Sequence, residues 1–186
     1  MREPDTSVEV YALKVTLLDT SPLVWRRILV PRAITLHNLH RTLQTAMGWT
    51  NSHLHQFVCR SPRLSDLRAG VGGKVAKEKR TKLGKVIGTV GARLWYEYDF
   101  GDGWRHELLL EEVLLGDETF QQICVAGKRS CPPEDCGGPQ GFAELLRALQ
   151  DANHPSHDEA CEWLGDFAPE SFSVDQINKR LRRRKR

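Results

Sequence analysis

The clearest structural signal in the sequence is a hairpin between residues 93 and 113. Residues 93–100 and 104–113 are rich in aromatic and aliphatic side chains, which is typical of β-strands. Between them, Gly101-Asp102-Gly103 contains the Asp-Gly pair that supplies the positive φ required in tight hairpin turns. The pattern therefore predicts two antiparallel strands with aromatic residues along both of them.

Four further segments carry strand signals: residues 8–18, 24–30, 53–59 and 120–125. The first two are separated by Asp19-Thr20-Ser21-Pro22, a turn sequence, and are predicted to form a hairpin of their own. Pro31 ends this hairpin because proline cannot donate to the ladder. Residues 61–82 are polar and basic without a clear period, which predicts a loop or an insertion, and residues 83–90 predict a short helix.

Helical periods follow the first hairpin and fill the C-terminal third of the chain. Thr35 is a suitable N-cap for a helix that runs to about Met47, where Gly48 ends it. Three later segments predict further helices, from an amphipathic period or from a capping box: residues 142–149, 156–159 and 173–176. The predicted class is therefore α+β, with a mainly antiparallel sheet, a helix after the first hairpin and a C-terminal helical segment.

The size and composition of the chain fit one soluble globular domain. It has 186 residues, of which 40% are hydrophobic and 27% charged. We predict a single domain over residues 1–178 and a basic C-terminal tail over residues 179–186. No apolar run approaches the ~20 residues of a membrane span, and the polar N-terminus lacks the apolar core of a secretory signal. A cytoplasmic location without membrane contact is expected, and the odd number of cysteines, five, argues against a disulfide framework.

The net charge of +3 conceals a strong segregation of charge along the chain. Residues 60–93 carry ten Lys/Arg against two Asp/Glu, whereas residues 94–178 carry four against eighteen. Basic stretches bind phosphates, so DNA or RNA is the predicted partner. The contacting residues would be the cations of the tail: Lys179, Arg180, Arg182, Arg183, Arg184, Lys185 and Arg186. The alternatives are a solvated helix end, or mutual pairing of the two charge blocks.

Residues 98–106 combine aromatic residues, two carboxylates, a glycine-rich turn and a histidine. Asp99, Asp102 and His106 are therefore candidate catalytic residues, because a carboxylate close to a histidine can orient it for proton transfer. The triplet Asp99-Phe100-Gly101 matches a kinase metal-binding motif, but the chain lacks the nucleotide loop and the catalytic loop of a kinase. The alternative for His106 is a hydrogen-bonded histidine in an aromatic core.

A second dense motif is Cys131-Pro132-Pro133-Glu134-Asp135-Cys136-Gly137-Gly138. Its two prolines keep the approach extended, and its two glycines permit a sharp turn. Glu134 and Asp135 are candidates for metal or base chemistry on this constrained loop. Alternatively, they accept backbone N–H bonds and cap the turn.

Cysteine spacing also suggests a metal. Cys124, Cys131 and Cys136 offer three thiols for a structural zinc ion, and zinc is the cofactor that the sequence allows. A histidine, either His106 or His157, would complete the ligand set. The alternative is free cysteines packed as small apolar residues.

A histidine pair offers a different metal site. His53 and His55 alternate on one face of the predicted strand, where they would form a joint metal site or face solvent. A pair with this spacing is weak evidence on its own.

Taken in order, these motifs resemble the plasmid pRiA4b ORF-3-like family, whose members include insertion-element passenger proteins described as TnpR-like. The resemblance spans about residues 8–180 and is carried by several short motifs: residues 23–27, 48–49, 53–57, 98–106, 131–138, 141–142 and 163–165. It implies an α+β domain found in bacterial and mobile-element settings, and it implies no reaction. The sequence holds no serine- or tyrosine-recombinase site that would fit a resolvase.

Three hypotheses follow for the function. The first is a non-enzymatic binding or regulatory domain, linked to mobile elements, that contacts DNA or RNA through the basic loop 60–93 and the tail. The second is a metal-dependent hydrolase in which one cleft collects a set of histidines and carboxylates: His53, His55, Asp99, Asp102, His106, Glu134 and Asp135. Under the third, the motifs serve folding alone.

Overall fold

A six-stranded antiparallel sheet organises the chain in a computed structural model, which describes residues 7–58 and 75–183. The strands are β1 (Val8–Leu17), β2 (Val24–Pro31), β3 (His55–Val58), β4 (Arg93–Tyr98), β5 (Trp104–Gly116) and β6 (Ile123–Lys128). The helices are α1 (Leu36–Met47), α2 (Val75–Glu78), α3 (Gly138–Gln150), α4 (His157–Leu164) and α5 (Val174–Arg183). The strand order is β3-β4-β5-β1-β2-β6 with every neighbouring pair antiparallel, which confirms the α+β class.

The first hairpin and α1 form as the sequence predicts. β1 lies between β2 and β5, and its inward residues are fully buried: Leu13, Val15 and Leu17. Thr35 caps α1, since its side-chain oxygen accepts a hydrogen bond from the backbone N–H of Asn38 at 3.2 Å. Gly48 ends the helix in the left-handed region, at φ 89°. Local sequence therefore specifies these elements: alternation specifies the strands, and the Thr35 cap and Gly48 specify the two ends of α1.

The β4–β5 hairpin is also present, but its turn is built differently from the prediction. Residues 99–103 connect the strands, and the positive φ falls on Asp99 at 56° and on Gly103 at 70°. Gly103 donates its N–H to the carbonyl of Asp99 at 2.6 Å. The longer turn places Asp99 just beyond the end of β4, at the rim of the sheet.

Several predicted boundaries differ from the structure. β3 begins at His55 rather than at His53, and β6 begins at Ile123 rather than at residue 120. The predicted helix over residues 83–90 is reduced to a single 3-10 turn, Leu83–Lys85. Most of the predicted loop over residues 61–82 lies outside the described residues.

Of the C-terminal helices, α5 packs against β6 at the edge of the sheet, whereas α3 packs against α4. Asn178 of α5 pairs with the backbone of Cys124, accepting from its N–H and donating to its carbonyl, both at 2.8 Å. Ser173 caps α5 through the N–H of Gln176 at 3.3 Å. Ser156 is the N-cap residue of α4, as predicted, but its side chain makes no capping hydrogen bond. Residues 179–183 continue α5. Within the described ranges, no helix is both long enough and apolar enough to cross a membrane.

Candidate functional site

Three loops bring a histidine and two carboxylates together at one end of the sheet. His53 precedes β3, Asp99 follows β4, and Asp135 lies in the loop before α3. His53 Nδ1 is 3.6 Å from Asp99 Oδ2, and His53 Nε2 is 3.2 Å from Asp135 Oδ1. Because β3 and β4 are antiparallel neighbours, the start of one lies beside the end of the other. We call these three residues the His53 cluster.

The two carboxylates of the cluster differ in how firmly they are held. Asp99 Oδ1 accepts the N–H groups of Gly101 at 3.0 Å and Asp102 at 3.3 Å, which leaves Oδ2 directed at His53. Asp99 is buried, whereas the Asp135 side chain is 74% exposed. Both aspartates have positive φ, 56° and 60°, a conformation that Asp adopts more readily than most residues. The cluster therefore has one fixed carboxylate and one at the solvent edge.

Glu134 lies next to the cluster and anchors its loop. Its carboxylate accepts the backbone N–H of Thr50 at 2.8 Å, the hydroxyl of Thr50 at 2.6 Å, and the hydroxyl of Tyr98. Burial acts to raise the pKa of Glu134, but the hydrogen bonds from Thr50 and Tyr98 outweigh it and hold the pKa below its usual value. Glu134 is thus ionised at neutral pH, with its acceptor oxygens already engaged.

Tyr98 and Trp49 join the loops that carry the cluster. The Tyr98 hydroxyl accepts the N–H groups of Ser52 at 3.0 Å and His53 at 3.3 Å. Trp49 stacks on Tyr98 with ring centroids 5.0 Å apart and donates its indole N–H to the carbonyl of Pro132 at 2.9 Å. Burial raises the pKa of Tyr98, so its hydroxyl stays protonated as a donor to Glu134.

His55 belongs to a separate, more enclosed group. Its Nε2 lies 3.1 Å from the buried carboxylate of Glu78, and its ring stacks on His40 with centroids 3.5 Å apart and planes at 3°. His40 in turn bonds the hydroxyl of Tyr96 through Nδ1 at 2.8 Å. The structure does not bring His53 and His55 together, since the two rings have different partners.

His106 lies in the core rather than in the cluster. It is 0% exposed, and its Nδ1 donates to the carbonyl of Tyr96 at 3.2 Å. Burial lowers its pKa to about 4, so the ring is neutral near pH 7. Asp102 is also outside the cluster, with one carboxylate oxygen enclosed and without a hydrogen bond. The seven-residue catalytic set of the hydrolase hypothesis thus assembles only in part.

The three predicted zinc-binding cysteines do not assemble into a ligand group. Within residues 7–58 and 75–183, the His53 cluster is where three possible ligand atoms lie within 4.8 Å of one another. Cys124 is buried, and the Cys131 sulfur lies 3.4 Å from that of Met47. Burial raises the pKa of Cys131 and of Cys136 to about 12, which opposes the thiolate form that zinc requires. His157, proposed as a fourth ligand, lies beside Cys161 instead, with 3.6 Å between Nε2 and Sγ.

Part of the predicted basic tail lies on α5. Four of its cations have exposed side chains: Lys179, Arg180, Arg182 and Arg183. The other three predicted residues lie outside the described ranges: Arg184, Lys185 and Arg186. Leu181 is 3% exposed, so the start of the predicted tail is a packed helix rather than a solvated extension.

A cleft of about 630 Å³ opens beside the cluster. Asp135 stands on its wall, and the remaining wall comes mainly from α3 and α4, including Leu145 and Ala160. Trp163, which is 50% exposed, lines both this cleft and a neighbouring groove that reaches Glu134. A ligand in the cleft would therefore lie against one of the three cluster residues.

Sequence reasoning missed the residues that hold the site in place. Thr50 belongs to none of the motifs, and Tyr98 is noted only as one of the aromatic residues of the second hairpin. Glu78 and His40 were not considered, because they lie on helices far along the chain from His55. The one available signal was the tyrosine in the motif 98–106, whose hydroxyl needs a partner when it is buried.

Comparison with known proteins places this architecture in a family. The family model for plasmid pRiA4b ORF-3-like proteins matches residues 9–176. The uncharacterised protein y4hQ of Sinorhizobium fredii is 39% identical over 178 residues, covering 91% of this chain and 89% of its own. The crystal structure of MM3350, a protein of unknown function from Methanosarcina mazei, aligns with a TM-score of 0.81 and 37% identity, covering 90% of this chain and 97% of its own. On the sequence match and the shared fold together, the chain belongs to the plasmid pRiA4b ORF-3-like family.

Proposed function

We propose that the His53 cluster binds a divalent metal ion and that the protein uses this ion for hydrolysis. The observation that carries the proposal is the convergence of three ligand atoms, from His53, Asp99 and Asp135, within 4.8 Å of one another. Two atoms bonded to one ion at about 2.0–2.2 Å lie at most about 4.4 Å apart, so a small inward movement of the exposed Asp135 side chain brings the three atoms to bonding distance. Three protein ligands leave positions open for water and substrate, as catalytic metal sites do.

The ligand types narrow the choice of ion. The imidazole nitrogen favours Zn²⁺ or Fe²⁺ over Ca²⁺ and Mg²⁺, which prefer shells made of oxygen, and the two carboxylates also suit Mn²⁺. The fixed Oδ2 of Asp99 would set the position of the ion, and the exposed Asp135 has the freedom to close on it. The competing interpretation is a metal-free ion pair of His53 with its two carboxylates.

The surrounding residues support hydrolytic chemistry. A divalent ion lowers the pKa of bound water and so supplies hydroxide near neutral pH. Glu134 does not serve as the base in this arrangement, because Thr50 and Tyr98 already occupy its oxygens. Its role is to position the loop that carries Asp135. The cleft beside Asp135 provides room for a substrate.

Metal titration tests the binding step. Chelator-treated protein is titrated with Zn²⁺ and with Mn²⁺ by calorimetry, and we expect one ion per chain. Asp99→Asn removes the fixed ligand oxygen and should abolish the heat of binding. Asp19→Asn is the matched control, since Asp19 also has positive φ, 60°, and a carboxylate near the surface. Absence of binding in the parent protein, or equal affinity in Asp99→Asn, would contradict the proposal.

A separate assay tests hydrolysis. The metal-loaded protein is incubated with p-nitrophenyl acetate, p-nitrophenyl phosphate and bis(p-nitrophenyl) phosphate. We expect turnover of at least one ester, lost in Asp99→Asn and kept in Asp19→Asn. If the ion binds and no ester is cleaved, the hydrolytic part fails while the metal site stands.

The outer side of α5 supports a second candidate function, contact with nucleic acid. Its inner side is docked through Ile177 and Leu181, so the helix presents its cations from a fixed platform. In the described part of the chain, the four exposed cations of α5 take part in no salt bridge. Unpaired cations on a fixed helix suit phosphate contacts. A passenger role in a mobile element, which the resemblance implies, belongs with this candidate.

Fluorescence anisotropy with a labelled DNA duplex and a labelled RNA strand tests this second function. Binding at low salt should weaken as salt rises, because each phosphate contact releases counterions. Replacing Arg182 and Arg183 by Gln should reduce both the affinity and its salt dependence. Arg93→Gln is the control, since Arg93 is paired with Glu107 on the sheet at 3.0 Å. Salt-independent binding, or none, would contradict a phosphate contact.

A further inference from the structure

A second reactive group lies on α4. The Cys161 sulfur is 3.6 Å from His157 Nε2, one helical turn away. His157 Nδ1 lies 2.7 Å from the carbonyl oxygen of Ala148 on α3. A carbonyl can only accept, so Nδ1 carries the proton and the neutral ring turns the lone pair of Nε2 toward the thiol. Nucleophile, base and a group that orients the base are therefore aligned.

Cys161 differs in this respect from the other cysteines in the described ranges. It is exposed, whereas Cys124 is buried and burial raises the pKa of Cys131 and Cys136 to about 12. Those two thiols are held in the unreactive protonated form. Cys161 combines access to solvent with a base within reach, and it takes no part in the His53 cluster or in its proposed function.

We propose that Cys161 is a nucleophilic thiol, assisted by His157, that reacts with hydroperoxides. In the reaction, the Cys161 sulfur attacks one peroxide oxygen and the O–O bond breaks. The thiol proton passes to His157 Nε2 and then to the departing oxygen, which leaves as water or an alcohol. The cysteine is oxidised to sulfenic acid and the peroxide is reduced, so atoms and electrons balance.

Site-resolved labelling tests the proposal on the full-length protein. Hydrogen peroxide is added with dimedone, which traps sulfenic acid, and iodoacetamide alkylation is measured in parallel by peptide mass spectrometry. We expect Cys161 to react faster than Cys124, Cys131 and Cys136 with both reagents. His157→Asn keeps an amide donor for the Ala148 carbonyl but removes the base. It should lower the labelling rate of Cys161 by about tenfold, which is less than a general base contributes in a closed site.

Two controls make the outcome decisive. Cys161→Ser should remove the labelled peptide without changing the labelling of the other cysteines. His154→Asn replaces a nearby histidine whose Nε2 is paired with Glu144 at 3.0 Å, and it should leave the Cys161 rate unchanged. An unchanged rate in His157→Asn, with circular dichroism showing that α4 is intact, would overturn the proposal.

Discussion

His53 and His55 are separated by one residue and yet lie in opposite environments. The ring of His53 stands between two carboxylates at the rim of the sheet, with 27% of its side chain exposed. The ring of His55 is stacked on His40, and its Nε2 is engaged by the buried Glu78. The His53 ring lies beside carboxylate oxygens and is reached by solvent, whereas the His55 ring is already engaged by Glu78 and His40. His53, just before β3, is therefore a candidate metal ligand, whereas His55, the first residue of β3, is a structural residue.

The largest expected difference between the two histidines is in metal affinity. His53→Ala removes a ligand and should weaken Zn²⁺ binding by more than about 10³-fold, since loss of a mere second-shell partner already costs about 10–100-fold. His55→Ala should leave the affinity almost unchanged. Calorimetric titration of both variants measures the difference. Similar losses in the two variants would show that His53 and His55 act together in binding the ion.

His106 extends the comparison to a fully buried ring, where the expected effect is on acid stability. Burial lowers its pKa from 6.5 to about 4 in the folded protein. The unfolded chain therefore binds the proton first, so the stability from His106 is complete above pH 6.5 and is lost as the pH falls toward 4. The loss should reach about 3 kcal/mol at pH 4.

Urea unfolding at a series of pH values from 7 to 4 measures this loss. A His106→Gln variant should start less stable but show a flatter dependence on pH. Glu134 does not confuse the result above pH 4.5, because its lowered pKa places its own loss of stability below that value. Parallel pH profiles for the parent and the variant would refute the assignment.

The fold was predictable where the signal is local. The strands of the first hairpin follow from alternation, those of the second from their aromatic and aliphatic content beside a glycine-rich turn, and α1 from Thr35, its apolar stripe and Gly48. The turn at residues 99–103 was not predictable in detail, because either Asp99 or Asp102 could take the positive φ. The choice depends on tertiary bonds, such as the N–H of Asp99 to the carbonyl of Leu54 at 2.8 Å.

The sequence identifies the residues of the candidate site but does not show that they lie together. His53, Asp99 and Asp135 were all candidates, but their convergence requires three loops that are distant in sequence. Alternation predicts that His53 and His55 share one face of a strand. The rule does not apply to His53, because β3 begins only at His55. Arg26 belongs to the family motif 23–27, but nothing in the sequence indicates that it is buried and donates to the carbonyl oxygens of Ala46 and Lys128.

The buried group around His55 should contribute to the free energy of unfolding. His55→Ala leaves the Glu78 carboxylate, which is 5% exposed, without its hydrogen-bond partner. An unpaired buried acceptor costs about 1–3 kcal/mol, so the free energy of unfolding should fall by about 2 kcal/mol. The double variant His55→Ala with Glu78→Ala should recover part of the loss in a double-mutant cycle. Additive losses would show that the two side chains do not interact.

The smallest expected effect concerns Glu134, which touches the His53 cluster only through its loop. Glu134→Gln replaces an acceptor of three hydrogen bonds by an amide whose NH₂ group cannot accept, so Thr50 or Tyr98 loses a partner. The loop then holds Asp135 less firmly, and Zn²⁺ affinity should fall by about tenfold, the scale of a second-shell loss. Glu144→Gln, on the exposed side of α3, is the control and should leave the affinity unchanged. A loss as large as that of His53→Ala would make Glu134 a ligand itself, whereas no loss would show that the loop is held by Trp49 and its bond to Pro132 alone.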